Sequence, residues 1–263
     1  MTRFKLSAEQ IDAFREHGFL GPFTLCSPEA MAQARRRLDQ SIDRESREET
    51  IASQVQAAGV EERPLRALYD RHLTDPAVYA LAAHAEILSR AVALLGPDLL
   101  LWRTTFWIKE PFGRRLEWHQ DTYKDEGFGS FPNLNAWIAI DEATVDNAVR
   151  LVPGTHRAVI ERDVFCSPGY VAALRASDDL PPPPAGRGAV VTMALHPGEF
   201  FLFDGRVLHG SPPNRAAQRR AGLVTRFIPA GTSLAGLSVP SILVAGRDCQ
   251  GRHVLAEPPL SAG

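Results

Sequence analysis

At residue 98 the character of the chain changes. Beyond it come short runs rich in β-branched and aromatic residues, "LLLWRTTFWIKE", "LEWHQD", "LNAWIAID", "VRLVPG", "GAVVTMAL", "EFFLFDG", "VLHGS" and "AGLVTRFIP", punctuated by Gly, Pro and Asn. Their number and spacing predict a mainly β protein with flanking helices: an antiparallel sandwich or double-sheet jelly roll with the helices packed outside.

The first third reads as those helices. "LSAEQIDAFREHGFL" has Ser7 in the cap position, Glu9 and Gln10 in the first turn, Ile11, Phe14 and His17 at helical spacing, and Gly18 as its end. "SPEAMAQARRRLDQSIDRESREE" repeats the Ser cap with Pro at the first helical position, and "DPAVYALAAHAEILSRAVALLG" reads as a third helical region closed by Gly96 and Pro97. With no internal repeat and no clear linker, residues 1–263 are expected to form one domain. Residues 1–97 would be its mainly helical part and 98–229 its β core, and 230–263 form a tail whose "SILVAGRDCQGRHVLAEP" offers a further hairpin near the site. A polar interval at 155–187, containing "LPPPPAG", is too long for a simple connection and reads as a partly ordered lid or a surface excursion.

A chain of 263 residues can bury a substantial core. Its net charge of −2 provides no basic field for nucleic acid or a membrane surface, which leaves a small molecule as the expected partner. The N-terminus has no apolar segment with a cleavage site, and no apolar run is long enough to span a bilayer, so the expected location is the cytoplasm. Cys26, Cys166 and Cys249 are too few and too scattered for a disulfide framework or a thiolate cluster.

The candidate chemistry begins in "LEWHQDTYK". On a strand His119 and Asp121 face the same way, so two ligand-type side chains share one surface. Two His and one carboxylate on one face of an octahedral iron(II) leave three positions open, and His209, ending the apolar run "FLFDGRVLH", is the candidate third ligand. His17, His72 and His84 lie in helical segments, His156 and His196 flank turns and His253 is in the tail. A dicarboxylate cosubstrate such as 2-oxoglutarate would need a fixed cation for its far carboxylate, and an Arg fork suits that better than a Lys point charge. Arg220, eleven residues past His209 at the start of the returning strand, is placed to supply it.

"WHQD" at 118–121, "VPGTHR" at 152–157, "PGEFFLFDGRVLHGSPPN" at 197–214 and Arg220, with the opening "LSAEQIDAFREHGFL", together resemble the phytanoyl-CoA dioxygenase family of iron(II)- and 2-oxoglutarate-dependent oxygenases. The resemblance covers nearly the whole chain. It implies a double-stranded β-helix (jelly roll, cupin-like) core, with His119, Asp121 and His209 on Fe(II), Arg220 on the distal carboxylate of 2-oxoglutarate, and O2 as second cosubstrate. Lys109 and Ser211 join Arg220 as candidate cosubstrate contacts.

Within the family, "LLLWRTTFWIKEPFG", "WHQ" and "LVTRFIP" look like the subgroup that contains the aliphatic halogenases. That similarity implies that Trp137 sits near the cosubstrate and that Arg226 points inward. The halogenases have a small residue in place of the metal-binding carboxylate; this chain keeps Asp121, so hydroxylation or a related oxidation is expected. Two departures are Leu116, where the halogenases have a polar residue, and Ala148, where the family usually has Gly. Arg103, Thr105, Trp107, Tyr123, Phe128 and Arg226 are substrate-contact candidates by position, for a small amino-acid-like or specialised metabolite, free or tethered to a carrier protein. A zinc hydrolase with the same three ligands, a halogenase and a non-catalytic jelly-roll binding module remain as alternatives.

Overall fold

A computed structural model describes residues 4–44, 66–121, 131–186, 188–234 and 239–260. The first helix, α1 (Ala8–His17), begins at a capping box in which Ser7 accepts from the Gln10 N–H and the Gln10 side chain accepts from the Ser7 N–H; Gly18 ends it in a left-handed conformation. After β1 (Phe19–Thr24) comes α2 (Pro28–Arg44), then β2 (Arg66–Tyr69). The expected third helical region is two helices, α3 (Pro76–Ala82) and α4 (Ala85–Leu95), bent by 48°. His84 caps α4 and accepts from the Glu86 N–H, so a new helix starts where the apolar periodicity alone reads as one. Among the described residues, no single helix is long and apolar enough to cross a membrane.

The strands that follow are β3 (Leu99–Lys109), β4 (Leu116–His119), β5 (Leu134–Ala139), β6 (Val149–Val152), β7 (Val191–Met193), β8 (Glu199–Asp204), β9 (Leu208–Ser211), β10 (Arg220–Pro229) and β11 (Ile242–Ala245). The larger sheet runs β1-β8-β5-β10-β3-β11, with β2 also paired to β3; the smaller runs β4-β9-β6-β7. The pairings within both sheets are antiparallel, as expected for a double-stranded β-helix. Two of these strands, β1 and β2, lie in the helical third, where none was expected. The tail does not fold into a hairpin at the site, because β11 extends the larger sheet beside Leu99–Leu101 and Ser241 bridges Leu255 in parallel.

Strand alternation divides the core in two. In β5, Leu134, Ala136 and Ile138 face outward with Phe200, Leu202, Leu223 and Phe227, where α2, α3 and α4 cover them through Met31, Leu38, Val78 and Ile87. The intervening Trp137 and Ala139 join Phe201, Phe203, Val224, Val149 and Leu151 between the two sheets. That inner layer is where a site must sit, because β10 sends Arg220, Gly222, Val224 and Arg226 into it while Ala221, Leu223 and Phe227 go to the helices.

The interval 155–187 carries two short helices, α5 (Arg162–Phe165) and α6 (Pro168–Ala176). Phe165, Tyr170, Leu174 and Leu180 pack on Trp118, Val152 and Leu208, the side chains of the smaller sheet that point away from the inner layer. Arg115 donates to the carbonyls of Leu174 and Ser177, and the Trp118 indole donates to the Pro181 carbonyl at 2.8 Å. The segment thus covers the back of the smaller sheet.

Candidate metal centre

His119 and His209 are direct partners in the β4–β9 ladder, which brings their rings to 4.1 Å between centroids. The β4 ladder carries an irregularity between Leu116 and His119, and the strand ends at His119. Asp121 therefore lies just past the strand rather than on it. Its N–H donates to the Gly205 carbonyl, and its carboxylate still turns to the same side, with Oδ1 3.7 Å from His119 Nε2. One ligand atom from each of His119, Asp121 and His209 can be chosen so that all three lie within 4.8 Å of one another.

The donor set fits a divalent metal in its protonation state as well as its position. Each imidazole meets the carbonyl two residues before it: His119 Nδ1 lies 2.7 Å from the Glu117 oxygen and His209 Nδ1 2.8 Å from the Val207 oxygen. A carbonyl only accepts, so Nδ1 carries the proton and the Nε2 of the neutral ring offers its lone pair to the centre. Burial, followed by the neighbouring His119, pushes the His209 pKa down to about 3, so that ring is unprotonated at neutral pH. Burial alone would raise the pKa of Asp121, but Arg226, the two histidines and a hydrogen bond from Asn135 outweigh it and hold the carboxyl below its usual range. Asn135 Nδ2 donates to Oδ2 at 2.9 Å, and Arg226 approaches that oxygen at 3.8 Å. Oδ1 is left to face the histidines.

A cavity opens from this cluster. Arg220, Lys109, Ser211 and Trp137 line it with Leu116, Val149, Phe203 and Val224. Arg220 is 2% exposed; it donates to the Asn147 carbonyl at 3.1 Å and to Ser211 Oγ at 3.3 Å, and its guanidinium lies 5.3 Å from the centre of the Trp137 ring. Its Nε has no hydrogen-bond partner, and among the described residues no carboxylate is within ion-pair distance. Burial lowers its pKa to about 10, which leaves a cation at neutral pH. Lys109 stands opposite Arg220 in the β3–β10 ladder and donates to the Ser211 and Pro212 carbonyls. Burial, then Arg220, Arg114 and Arg150, hold the Lys109 ammonium well below its usual pKa. Asp141 acts on Arg220 only from beyond ion-pair distance, and a buried cation so weakly compensated is costly. A carboxylate entering the cavity would relieve it.

The other expected residues divide. Trp107 and Arg226 line the cavity, and Thr105 accepts from Arg226 at 2.7 Å. Arg103 does not line the cavity: it lies 3.9 Å from Asp70 and stacks on Tyr69 and Trp102. Tyr123 and Phe128 fall outside the described residues. Two contributors went unread in the sequence. Asn135 shares the inward side of β5 with Trp137, and its signal was a lone amide inside the apolar run "LNAWIA". Gly222 lies against Trp137, where a Cβ would come within 2.2 Å of the indole. No local pattern marks that need.

Residues 14–222 match the family model for phytanoyl-CoA dioxygenase (PhyH). The chain is 26% identical over 243 residues to the L-proline trans-4-hydroxylase of Streptomyces griseoviridis, a match that covers 84% of this chain and 87% of that one. It is 27% identical over 163 residues to the ectoine dioxygenase of Sphingopyxis alaskensis, covering 57% of this chain and about half, 53%, of that relative. Among solved structures, CytC3 with Fe(II) and alpha-ketoglutarate shares the fold, with a TM-score of 0.70 at 21% identity over 97% of this chain and 95% of that one.

Proposed function

Because the chain belongs to the phytanoyl-CoA dioxygenase family, it is an iron(II)- and 2-oxoglutarate-dependent oxygenase, and we propose that His119, Asp121 and His209 hold its iron while Arg220 anchors its cosubstrate. The observation that carries this reading is one cavity with two ends: a convergent His/Asp/His cluster at one, and at the other a buried cation that among the described residues has no carboxylate within ion-pair distance. A 2-oxoglutarate molecule matches both ends, since its keto acid chelates and its distal carboxylate seeks a fork of N–H donors.

When bound, the iron couples reduction of O2 to the conversion of 2-oxoglutarate to succinate and CO2, and so to oxidation of an unactivated C–H bond. The chain's own residues bind and orient. The carbonyls of Glu117 and Val207 fix the tautomer and tilt of the two imidazoles. Asn135 and Arg226 engage one oxygen of Asp121, leaving the other as ligand and keeping the carboxylate ionised. Arg220, Ser211 and Lys109 receive the distal carboxylate, and Trp137 walls the path between. With Asp121 retained as a metal ligand, the product would be an alcohol or another oxidation product rather than a halide.

The remaining wall, Trp107, Leu116, Phe203 and Arg226, suits a small substrate with an apolar body and an anionic group. We assign a free amino-acid-like metabolite, in keeping with the proline and ectoine in the relatives' names, and a single-domain cytoplasmic enzyme whose three cysteines are free thiols.

The test is anaerobic titration of the apo-protein with iron(II) and 2-oxoglutarate, followed by succinate release with a panel of cyclic and acyclic amino acids and their carrier-protein thioesters. A visible metal-to-cosubstrate band and succinate release stimulated by a free amino acid are the expected results. Stimulation by thioesters alone would move the substrate to a carrier. A folded protein without the band would overturn the ligand assignment.

A further inference from the structure

Gln120 stands between two of the proposed ligands and points away from the cavity they share. Its amide is nevertheless among the most heavily bonded side chains near the site. Nε2 faces the carbonyls of Thr155 at 3.2 Å, Ala158 at 3.0 Å and Arg206 at 2.5 Å, while Oε1 accepts from the Ile160 N–H at 2.8 Å. One side chain thus joins the end of β4, the start of the 155–187 segment and the turn between β8 and β9.

That turn repeats the pattern. Three consecutive carbonyls each hold a different part of the site: Gly205 accepts from the Asp121 N–H at 2.8 Å, Arg206 from the Gln120 amide, and Val207 from His209 Nδ1 at 2.8 Å. The turn is itself fixed, since the Gly205 N–H donates to the Asn133 carbonyl and the Val207 N–H to that of Asp204. Gly205 has no room for a side chain: a Cβ would fall 2.7 Å from Asn133 Nδ2 and 3.2 Å from Asp121 Cβ. Thr155 completes the ring by accepting the Leu208 N–H at 2.8 Å and donating to the Val152 carbonyl at 2.7 Å, which ties the start of the segment to β9 and β6.

We propose that the Gly205–Val207 turn and Gln120 form a gauge that sets the separation of Asp121 from the His119–His209 rung, with Gln120 as the positioning residue. The proposal rests on the assignment of those three residues as ligands. The last rung of the ladder pairs His119 with His209, and Asp121 lies just past it, where its backbone is held by the Gly205 carbonyl and the neighbouring Gln120 amide while Asn135 and Arg226 engage its carboxylate. Removing the amide leaves the Arg206, Thr155 and Ala158 carbonyls without their shared donor and lets Asp121 drift from the rung. Because the same amide holds Ile160, a metal that fixes the ligands also fixes the start of the 155–187 segment.

The experiment uses Mn(II) as probe on the full-length apo-protein, with free Mn(II) read by electron paramagnetic resonance, alongside the visible spectrum of the Co(II) form and amide exchange at Ile160. Wild type should bind one Mn(II), and Ile160 should then exchange more slowly. In Gln120→Leu, Mn(II) affinity should fall roughly 10- to 100-fold, the Co(II) bands should shift, and Mn(II) should no longer slow Ile160. Gln120→Glu keeps the shape but loses both donors, and it should move in the same direction if Gln120→Leu does not fold. Wild-type Mn(II) affinity and Co(II) bands in a folded Gln120 variant would overturn the gauge and leave Gln120 as an anchor for the segment alone. Failure of the wild type to bind Mn(II) would instead overturn the ligand assignment beneath it.

Discussion

His119 and His209 face each other as partners across the β4–β9 ladder, their rings 4.1 Å apart and both Nδ1 atoms turned outward to backbone carbonyls. The geometry makes sense when a cation receives both Nε2 lone pairs.

His209→Ala is therefore expected to abolish the iron–cosubstrate band and to lower metal affinity by at least two orders of magnitude, while its effect on folding stays small or stabilising. The ring is buried, and burial holds its pKa far below that of a free His. A thermal melt of the apo-protein beside the metal titration separates the two effects. Retention of the band would remove His209 from the ligand set.

Arg220→Ala should raise the 2-oxoglutarate concentration needed for half-maximal band intensity by roughly 10- to 100-fold, the value of one or two hydrogen bonds to a charged group. Arg220→Lys should fall between, because it keeps the charge and loses the fork. Metal affinity without cosubstrate should be unchanged in both. An equal loss in the absence of 2-oxoglutarate would mean that Arg220 supports the fold of the site rather than the cosubstrate.

What could be read from the sequence follows from where the information is local. His119, His209 and Arg220 were legible because each occupies a fixed phase in an apolar strand whose alternation shows in the residue types. Asp121 was named through the same alternation, yet its strand ends at His119 and a hydrogen bond from its N–H to Gly205 aims it. β1 and β2 were not legible, and β11 falls in the tail stretch read as a hairpin but pairs with β3 instead. Edge strands such as "FLGPFT" take their pairing from the neighbour they dock on, and Gly and Pro within them argue locally against a strand. The break between α3 and α4 was hidden because His84 caps α4 with a ring nitrogen, outside the usual Ser, Thr, Asp and Asn signals. Arg103 was placed at the site on position alone, and the nearby Asp70 and the Tyr69 and Trp102 rings claim it instead.

Gly222→Ala tests the Trp137 wall. The added Cβ would fall 2.2 Å from the indole, so the ring must move, and with it the face that lies beneath Arg220. Overpacking of this kind costs about 1–3 kcal/mol, a lowering of the melting temperature that calorimetry resolves. Cosubstrate affinity should fall together with stability. A variant that melts early but binds 2-oxoglutarate normally would show that Trp137 packs the core without shaping the cosubstrate path.

His72 governs a pH dependence away from the site. Its ring is fully buried, with Nδ1 at 3.0 Å from Thr104 Oγ1 and, among the described residues, no partner for Nε2, and burial lowers its pKa from 6.5 to about 4. Between pH 6.5 and 4 the unfolded chain takes up a proton here that the folded chain refuses, so the stability present above pH 6.5 drains away as the pH falls. The loss reaches about 2 kcal/mol by pH 5, from linkage arithmetic on those two pKa values. Urea unfolding midpoints for wild type and His72→Gln at pH 7.5 and pH 5 measure it directly. The variant should be less stable than wild type at pH 7.5, since it leaves an amide in the same buried space, but the gap should narrow by that amount at pH 5. A gap that stays constant between the two pH values would show that the folded protein protonates His72 freely.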